Sequence, residues 1–358
     1  MLDVVLFVVG AVALVFACLF AHLERWSITP SLLGLVVGIA IGPQALDLLA
    51  LPDGERIAIL HRAAQLLLAV ALMGTALRYP SGAVRQRVRE VTLLLVVVLP
   101  VMAAVLADGA TWTLPMSAGA ALVLGTALSP TDPVLAAGIV TGQPAETDIP
   151  DRGRQVLSLE SGANDGLAQP LVVIAIAIAL GRPLTSALGQ AAYEVGSAAV
   201  LGTVVGLAAG RALRWAEQHR EISPSVAEFT VDETLNQFLV IPVFVLFGAS
   251  LPWAAWGSLG WGAGGFVAAA LFLRRLPIVL LLKRPMRGSW LHLTWLGWFG
   301  PIGIAALFYL GHADRQGLTD PTLWAAGTLA IAVSTVVHGL SAGPARVAYR
   351  RASVGRGD

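Results

Sequence analysis

Charge is scarce in this chain. Only 13% of its 358 residues are Asp, Glu, Lys or Arg, against about a quarter in ordinary soluble domains. The 23 basic and 22 acidic side chains leave a formal net charge of +1. So few charges cannot cover the surface of a water-soluble protein of this size. Cysteine is scarcer still. Cys18 stands alone, which excludes a disulfide framework and a thiolate metal cluster. No basic run lies away from the apolar segments, so nucleic acid is not an expected partner. A Walker-type Gly-rich loop is missing, and so is a helix-borne His-Glu-x-x-His, which removes ATP drive and zinc proteolysis. No segment alternates as a membrane β-barrel strand does. What the chain has in excess is apolar side chains, 56% of the total, which excludes disorder.

A helix that crosses the hydrocarbon needs about 20 mostly apolar residues. Eleven stretches qualify: 3–21, 29–46, 57–77, 90–107, 115–141, 154–180, 184–210, 233–251, 258–282, 289–311 and 320–343. The first has no Lys or Arg before it and reads as a retained helix rather than a cleaved leader. The expected fold is therefore an all-α polytopic membrane protein of about 11 transmembrane helices in contact with lipid. With the N-terminus outside and the C-terminus cytoplasmic, inner loops hold 17 Lys and Arg, outer loops hold 4, and Arg274 and Arg275 lie inside a helix. That asymmetry sets the expected orientation.

The third stretch, LLLAVALMGTALRYP from Leu66, and the eighth, LVIPVFVLFGASLPW from Leu239, share a Gly at 74 and 248. Each opens a set of four helices whose third member is broken. The breaks are Ser129-Pro130-Thr131-Asp132-Pro133 and Gly300-Pro301-Ile302-Gly303. The sets begin five helices apart, so they cross the membrane in opposite senses. Inverted repeats with paired broken helices meeting at mid-membrane are an architecture of secondary transporters. The expected organisation is N-terminal scaffold helices over 1–56, a first repeat with the ion-binding core over 57–180, and a linker with a scaffold helix over 181–230. A second repeat over 231–343 and a cytoplasmic tail over 344–358 follow.

Ionisable groups in the hydrocarbon are costly and usually functional. Those deep in a predicted span are Asp132, Glu160, Asp165, Arg274 and Arg275, with Glu194 and His338 nearer the edges of the pattern. Pro130 and Pro133 lack amide hydrogens, so the carbonyls of Thr126 and Ser129 lose their helical donors. The unwound stretch exposes Thr131 and Asp132. Asp132 either ligates a cation or neutralises the N-terminal end of the second half-helix. In Leu159-Glu160-Ser161-Gly162-Ala163-Asn164-Asp165-Gly166, residues four apart share a face, which stacks Ser161 under Asp165 and Glu160 under Asn164. Gly162 and Gly166 permit close approach of a neighbour. Desolvation penalises the charged form of a lone carboxylate, and a bound cation restores it. One carboxylate can therefore hold a proton or a cation, but not both. A buried guanidinium needs an anion, and Arg275, or else Arg274, is the partner for Glu160.

SPTDPVLAAGIV (129–140), LESGANDG (159–166) and GWFGPIGIAALFYL (297–310) resemble the monovalent cation–proton antiporters, on the sodium/proton exchanger branch. The resemblance implies a homodimer whose core bundle moves past a scaffold. It implies exchange of Na⁺, with Li⁺ or K⁺ as alternatives, for H⁺ by alternating access, and a part in pH homeostasis at the inner (plasma) membrane. No cofactor is implied; the cargo is Na⁺ and H⁺. Asp165 would be the cation- and proton-binding carboxylate, and Asn164 before it corresponds to the form linked to electroneutral exchange. Thr131, Asp132 and Ser161 would complete the site, with Asp165 and Asp132 as ligands of the monovalent cation. Glu160 with Arg275 would be the structural ion pair. Two departures stand out. The family often carries Arg where this chain has Ile302, and it usually has two further helices where residues 215–238 form a short polar stretch. Beside exchange, the residues alone leave open a passive cation channel and a non-transporting membrane protein.

Overall fold

The computed structural model describes residues 10, 29–52, 54–78, 81–219 and 239–354. All regular structure among them is helical. The first predicted span (3–21) and the stretch 220–238 lie outside the described residues, Gly10 apart. The other ten predicted stretches fall on helices.

The chain enters α1 (Pro30–Ile41) through Thr29, whose hydroxyl accepts from the Leu32 amide while Pro30 occupies the first turn. That is the usual start of a helix, with a side-chain acceptor for an orphan amide and a residue that has no amide to satisfy. After α2 (Arg56–Arg78), α3 (Ser81–Leu93) and α4 (Leu99–Thr113) form one rod joined by a π-helical turn over Leu94–Val98. Pro100 explains the turn. Its ring excludes the carbonyl four residues back, and the extra residue of a π turn relieves the clash.

The fifth stretch is broken as its prolines require, into α5 (Ala118–Ala127) and α6 (Pro133–Val140). A surface helix, α7 (Gln143–Asp148), leads to the long α8 (Asp151–Ala179). A tight turn at 180–183 reverses the chain into α9 (Leu184–Gln218). The eighth stretch is described from residue 239 and contains α10 (Ile241–Ala249), followed by the short α11 (Trp253–Ser258).

The ninth stretch differs from its reading as one unbroken span. It runs as α12 (Gly262–Ala268) and a π-helical turn over Ala269–Leu273, kinks at Arg274-Arg275, and resumes as α13 (Leu276–Leu281). Pro277 cannot donate to the Leu273 carbonyl, and the helix opens there. The kink delivers both arginines to the core. After α14 (Lys283–Met286), the tenth stretch splits into α15 (Trp290–Trp298) and α16 (Ile304–Arg315), as predicted. The last helix, α17 (Pro321–Val354), passes the expected boundary at 343 and stays helical for a further three turns. Arg346 and Arg350 bind Asp148 of α7 at 2.8 and 2.9 Å.

Among the described residues, six helical segments are long and apolar enough to cross a membrane: Arg56–Ala76, Gly82–Thr113, Asp151–Ala179, Leu184–Ala216, Gly262–Leu281 and Pro321–Ser353. The fifth and tenth stretches fall into shorter helices because their breaks divide them, and α1 and α10 are short as well. α1 and α10 touch backbone to backbone. A Cβ on Gly38 would strike the Val245 carbonyl, and one on Gly248 would strike that of Leu35. Small residues at a crossing permit this closeness. The main apolar core joins α2, α4, α8, α10 and α17 to α5 and α16, one half of each broken helix.

Candidate functional site

The two broken helices cross, and their unwound segments are stitched together. The Asp132 amide donates to the Pro301 carbonyl at 2.9 Å. Four half-helix ends therefore meet inside the protein. Two present unpaired amides and two present unpaired carbonyls.

Asp132 serves both amide ends. Its Oδ1 accepts from Val134 and Leu135 at the start of α6, at 2.7 and 3.1 Å, and its Oδ2 accepts from Ile304 at the start of α16. Gly303 makes the second contact possible, because a Cβ there would collide with this carboxylate. Of the two roles open to Asp132 in the sequence, the geometry displays the capping one, with both oxygens engaged.

Arg274 serves the carbonyl ends. One terminal nitrogen donates to Leu128 at 2.5 Å and lies 3.3 and 3.4 Å from the carbonyls of Pro130 and Ser129. The other donates to Gly300. Arg274 and Arg275 are both 2% exposed, so neither snorkels to an interface. The Thr126 carbonyl freed by Pro130 is taken by the Ser129 hydroxyl at 2.9 Å.

Arg275 holds Glu160 in a two-pronged pair at 2.8 and 3.0 Å, and its Nε donates to the Leu296 carbonyl at 3.1 Å. Asn164 donates to Glu160 at 2.9 Å and to the Thr131 hydroxyl at 2.7 Å. Thr131 also lies 3.2 Å from Glu160 and 3.0 Å from Ser161. It has one proton. Given to Glu160, it leaves Ser161 as the donor of the remaining contact. Glu160, Thr131, Ser161, Asn164 and Arg275 thus form one closed network, as the i, i+4 stacking anticipates for Glu160 under Asn164.

Asp165 sits one residue beyond that network and does not join it. Its residue is 2% exposed, yet neither carboxylate oxygen has a hydrogen-bond partner. The Asn164 Oδ1 beside it is equally bare. Buried oxygens without donors are rare and costly, and each one calls for an explanation. Of the three core carboxylates, Glu160 is paired with a guanidinium and Asp132 with three amides. Asp165 is the one left open.

Other sequence candidates fall into place. Gly162 packs on α2, where a Cβ would lie 3.0 Å from Thr75, but Gly166 faces open space and makes no close approach. His338 is packed, with Nδ1 2.9 Å from the Ser334 carbonyl and Nε2 3.1 Å from that of Trp298. Tyr309 was not singled out by the sequence. It is buried, and its hydroxyl donates to the backbone carbonyl of Asp165, tying α16 to α8 beside the open carboxylate. Its signal was a phenol within the apolar first turns of a half-helix, since a buried Tyr hydroxyl needs a partner.

The family described as "Sodium/hydrogen exchanger, transmembrane" matches residues 10–231 and 220–347. The chain belongs to the sodium/hydrogen exchanger family. The two matched pieces overlap at 220–231, within the polar stretch where two family helices are expected to be missing. Similar curated proteins are the Na(+)/H(+) antiporter 2 of Zygosaccharomyces rouxii, 25% identical over 89% of this chain and 49% of its own length, and the Na(+)/H(+) antiporter of Saccharomyces cerevisiae, 25% identical over 93% and 42%. These relatives are antiporters by name, secondary transporters rather than enzymes. The chain spans about half the length of the curated relatives it matches first. Their alignments extend over 404 and 422 residues, more than the 358 of this chain, so both contain segments absent here. The sodium proton antiporter MjNhaP1 from Methanocaldococcus jannaschii at pH 8 has a similar fold, with a TM-score of 0.74 over 95% of this chain and 99% of that one at 15% identity. The exchanger fold, with its crossed broken helices, is thus present in this multi-pass membrane protein.

Proposed function

We propose that this exchanger-family chain is a secondary antiporter that trades a monovalent cation, Na⁺ or else Li⁺ or K⁺, for H⁺ at Asp165 by alternating access. The observation that carries the reading is the unpartnered Asp165 carboxylate beside a network in which Glu160 is paired with Arg275 and Asp132 accepts from three backbone amides. A lone carboxylate in a dry site binds either a proton or a cation, and the two compete for it. Thr131, Ser161 and the free Asn164 Oδ1 are the neutral oxygens beside the cation. Glu160 and Asp132 stay compensated throughout, by Arg275 and by backbone amides. Each crossing of the membrane then moves the same net charge whichever ligand is aboard, so the exchange is one for one and electroneutral.

The lysine and arginine asymmetry supports an outside N-terminus and a cytoplasmic C-terminus in the plasma membrane. The long apolar face of α9, with Tyr193, Val200, Leu201, Val204 and Val205 exposed, supports a homodimer through that helix. In this arrangement 57–180 and 231–343 are the paired repeats and α9 belongs to the scaffold.

The test is Na⁺-driven proton movement in proteoliposomes. The native chain exchanges, and Asp165→Ala does not. Transport retained in the variant refutes the assignment, single-channel currents favour a passive channel, and a folded native chain without flux favours a non-transporting protein. A rate that changes when a potassium diffusion potential is imposed refutes electroneutrality.

A further inference from the structure

Asp165 is not the last bare oxygen along α8. Gln169 lies one turn farther toward Ala179, on the same face and about 6 Å along the axis. Its Oε1 is buried and has no hydrogen-bond partner. Its Nε2 crosses to α9 and donates to Glu194 Oε2 at 3.2 Å. The other oxygen of Glu194 accepts from Gln190 at 2.9 Å. α8 and α9 run antiparallel, so Val173 and Ala177 face Gln190 and Ser186 one and two turns farther out. There they line a cavity of about 30 Å³, bounded on a third side by His312 of α16. His312 Nε2 is also buried without a partner. From the cavity inward, the order is therefore His312 and Gln190, then Glu194 with Gln169, then Asp165.

We propose that Gln169 and Glu194 form a second cation station, where a partly hydrated monovalent cation rests between the cavity and Asp165. The proposal builds on the exchange reading of Asp165. A carboxylate and an unpaired amide oxygen are the hard donors that such an ion takes in place of water. The plain alternative is an interhelical bond that only holds α8 to α9. That role would not leave Gln169 Oε1 bare, since an unsatisfied buried acceptor costs about as much as the bond returns. Nor would it need a carboxylate on a helix whose neighbouring side chains are apolar and exposed. The station also straddles a seam. Asp165 is on α8 and Glu194 on α9, so any sliding between the two helices opens the Gln169–Glu194 bond and frees both oxygens for the cation.

The test uses full-length protein in membrane vesicles of both orientations, with Na⁺ supplied from one side at a time. Glu194→Gln and Gln169→Leu are expected to raise the apparent KM for Na⁺ supplied from the Arg182 side about fivefold, with the maximal rate within about twofold of native. The KM from the opposite side stays unchanged, and Glu194→Asp retains the native value. A KM within about 1.5-fold of native from the Arg182 side overturns the station, and so does an equal change from both sides, which marks a general packing defect. A binding measurement needs no transport. Asp165→Asn protein keeps weak Na⁺ binding by calorimetry, and Asp165→Asn with Glu194→Gln loses it; equal binding by the two overturns the proposal. A native chain that does not exchange overturns the reading of Asp165 itself, and the calorimetry then decides the station separately.

Discussion

Replacing Arg275 by Met separates the costs held in the core pair. The guanidinium makes two bonds to Glu160 and one to the Leu296 carbonyl, all at 2.8–3.1 Å and out of contact with water. Without it, Glu160 keeps only Asn164 and Thr131 as donors and remains a buried, uncompensated anion. Breaking a buried pair from one side costs about 3–5 kcal/mol. The expected loss in thermal midpoint of the detergent-solubilised protein is about 5–10 °C. The second half of the experiment removes the charge that was stranded. Glu160→Leu in the Arg275→Met background leaves Thr131 with Ser161 and Asn164 with Thr131, so two neutral partners lose about 1 kcal/mol each. The double variant is thus expected to recover about half of the lost stability, though not transport. A single variant as stable as native, or a double variant less stable than the single, refutes the reading that Arg275 is the partner that compensates the Glu160 carboxylate.

Other perturbations test the frame around that pair. Arg274→Leu strips the guanidinium from the carbonyl ends of α5 and α15 and is expected to abolish folded protein in size-exclusion profiles, while Arg274→Lys retains part of it. Gly303→Ala drives a methyl into the Asp132 carboxylate, and loss of exchange with at least about 2 kcal/mol of stability should follow in parallel flux and thermal assays. Gly248→Ala pries α10 from α1 at the Leu35 carbonyl and is expected to cost about 1–3 kcal/mol, measured as a lower thermal midpoint with the flux per folded molecule unchanged. Asp148→Ala releases Arg346 and Arg350, so protease cleavage within the last turns of α17 should accelerate, while the core loses about 1 kcal/mol or less.

Much of this is legible in the amino-acid sequence. Proline pairs announce a break because they remove named donors, and the i, i+4 rule stacks Glu160 with Asn164 without tertiary information. The same rules fell short wherever a group is satisfied from a distance. Pro130 and Pro133 reveal that carbonyls are orphaned but not that Arg274, 144 to 146 residues away in sequence, reaches them. Pro277 carried the signal of the third interruption, yet one proline in an apolar run is ambiguous until the neighbouring helices fix the bend. The Tyr309 hydroxyl and the Gln169–Glu194 bridge are contacts between helices, invisible to any periodicity. Gly166 shows the reverse error: a small residue permits closeness without compelling it.

The double duty of Asp132 has a mechanical consequence. One side chain closes the amide ends of two different helices, one guanidinium closes their carbonyl ends, and a backbone bond links their centres. Displacing either helix alone would strand donors and acceptors in a dry interior at several points at once. The crossed pair must therefore travel as a single carriage, and whatever motion carries cargo across the bilayer has to take place along its outer rails.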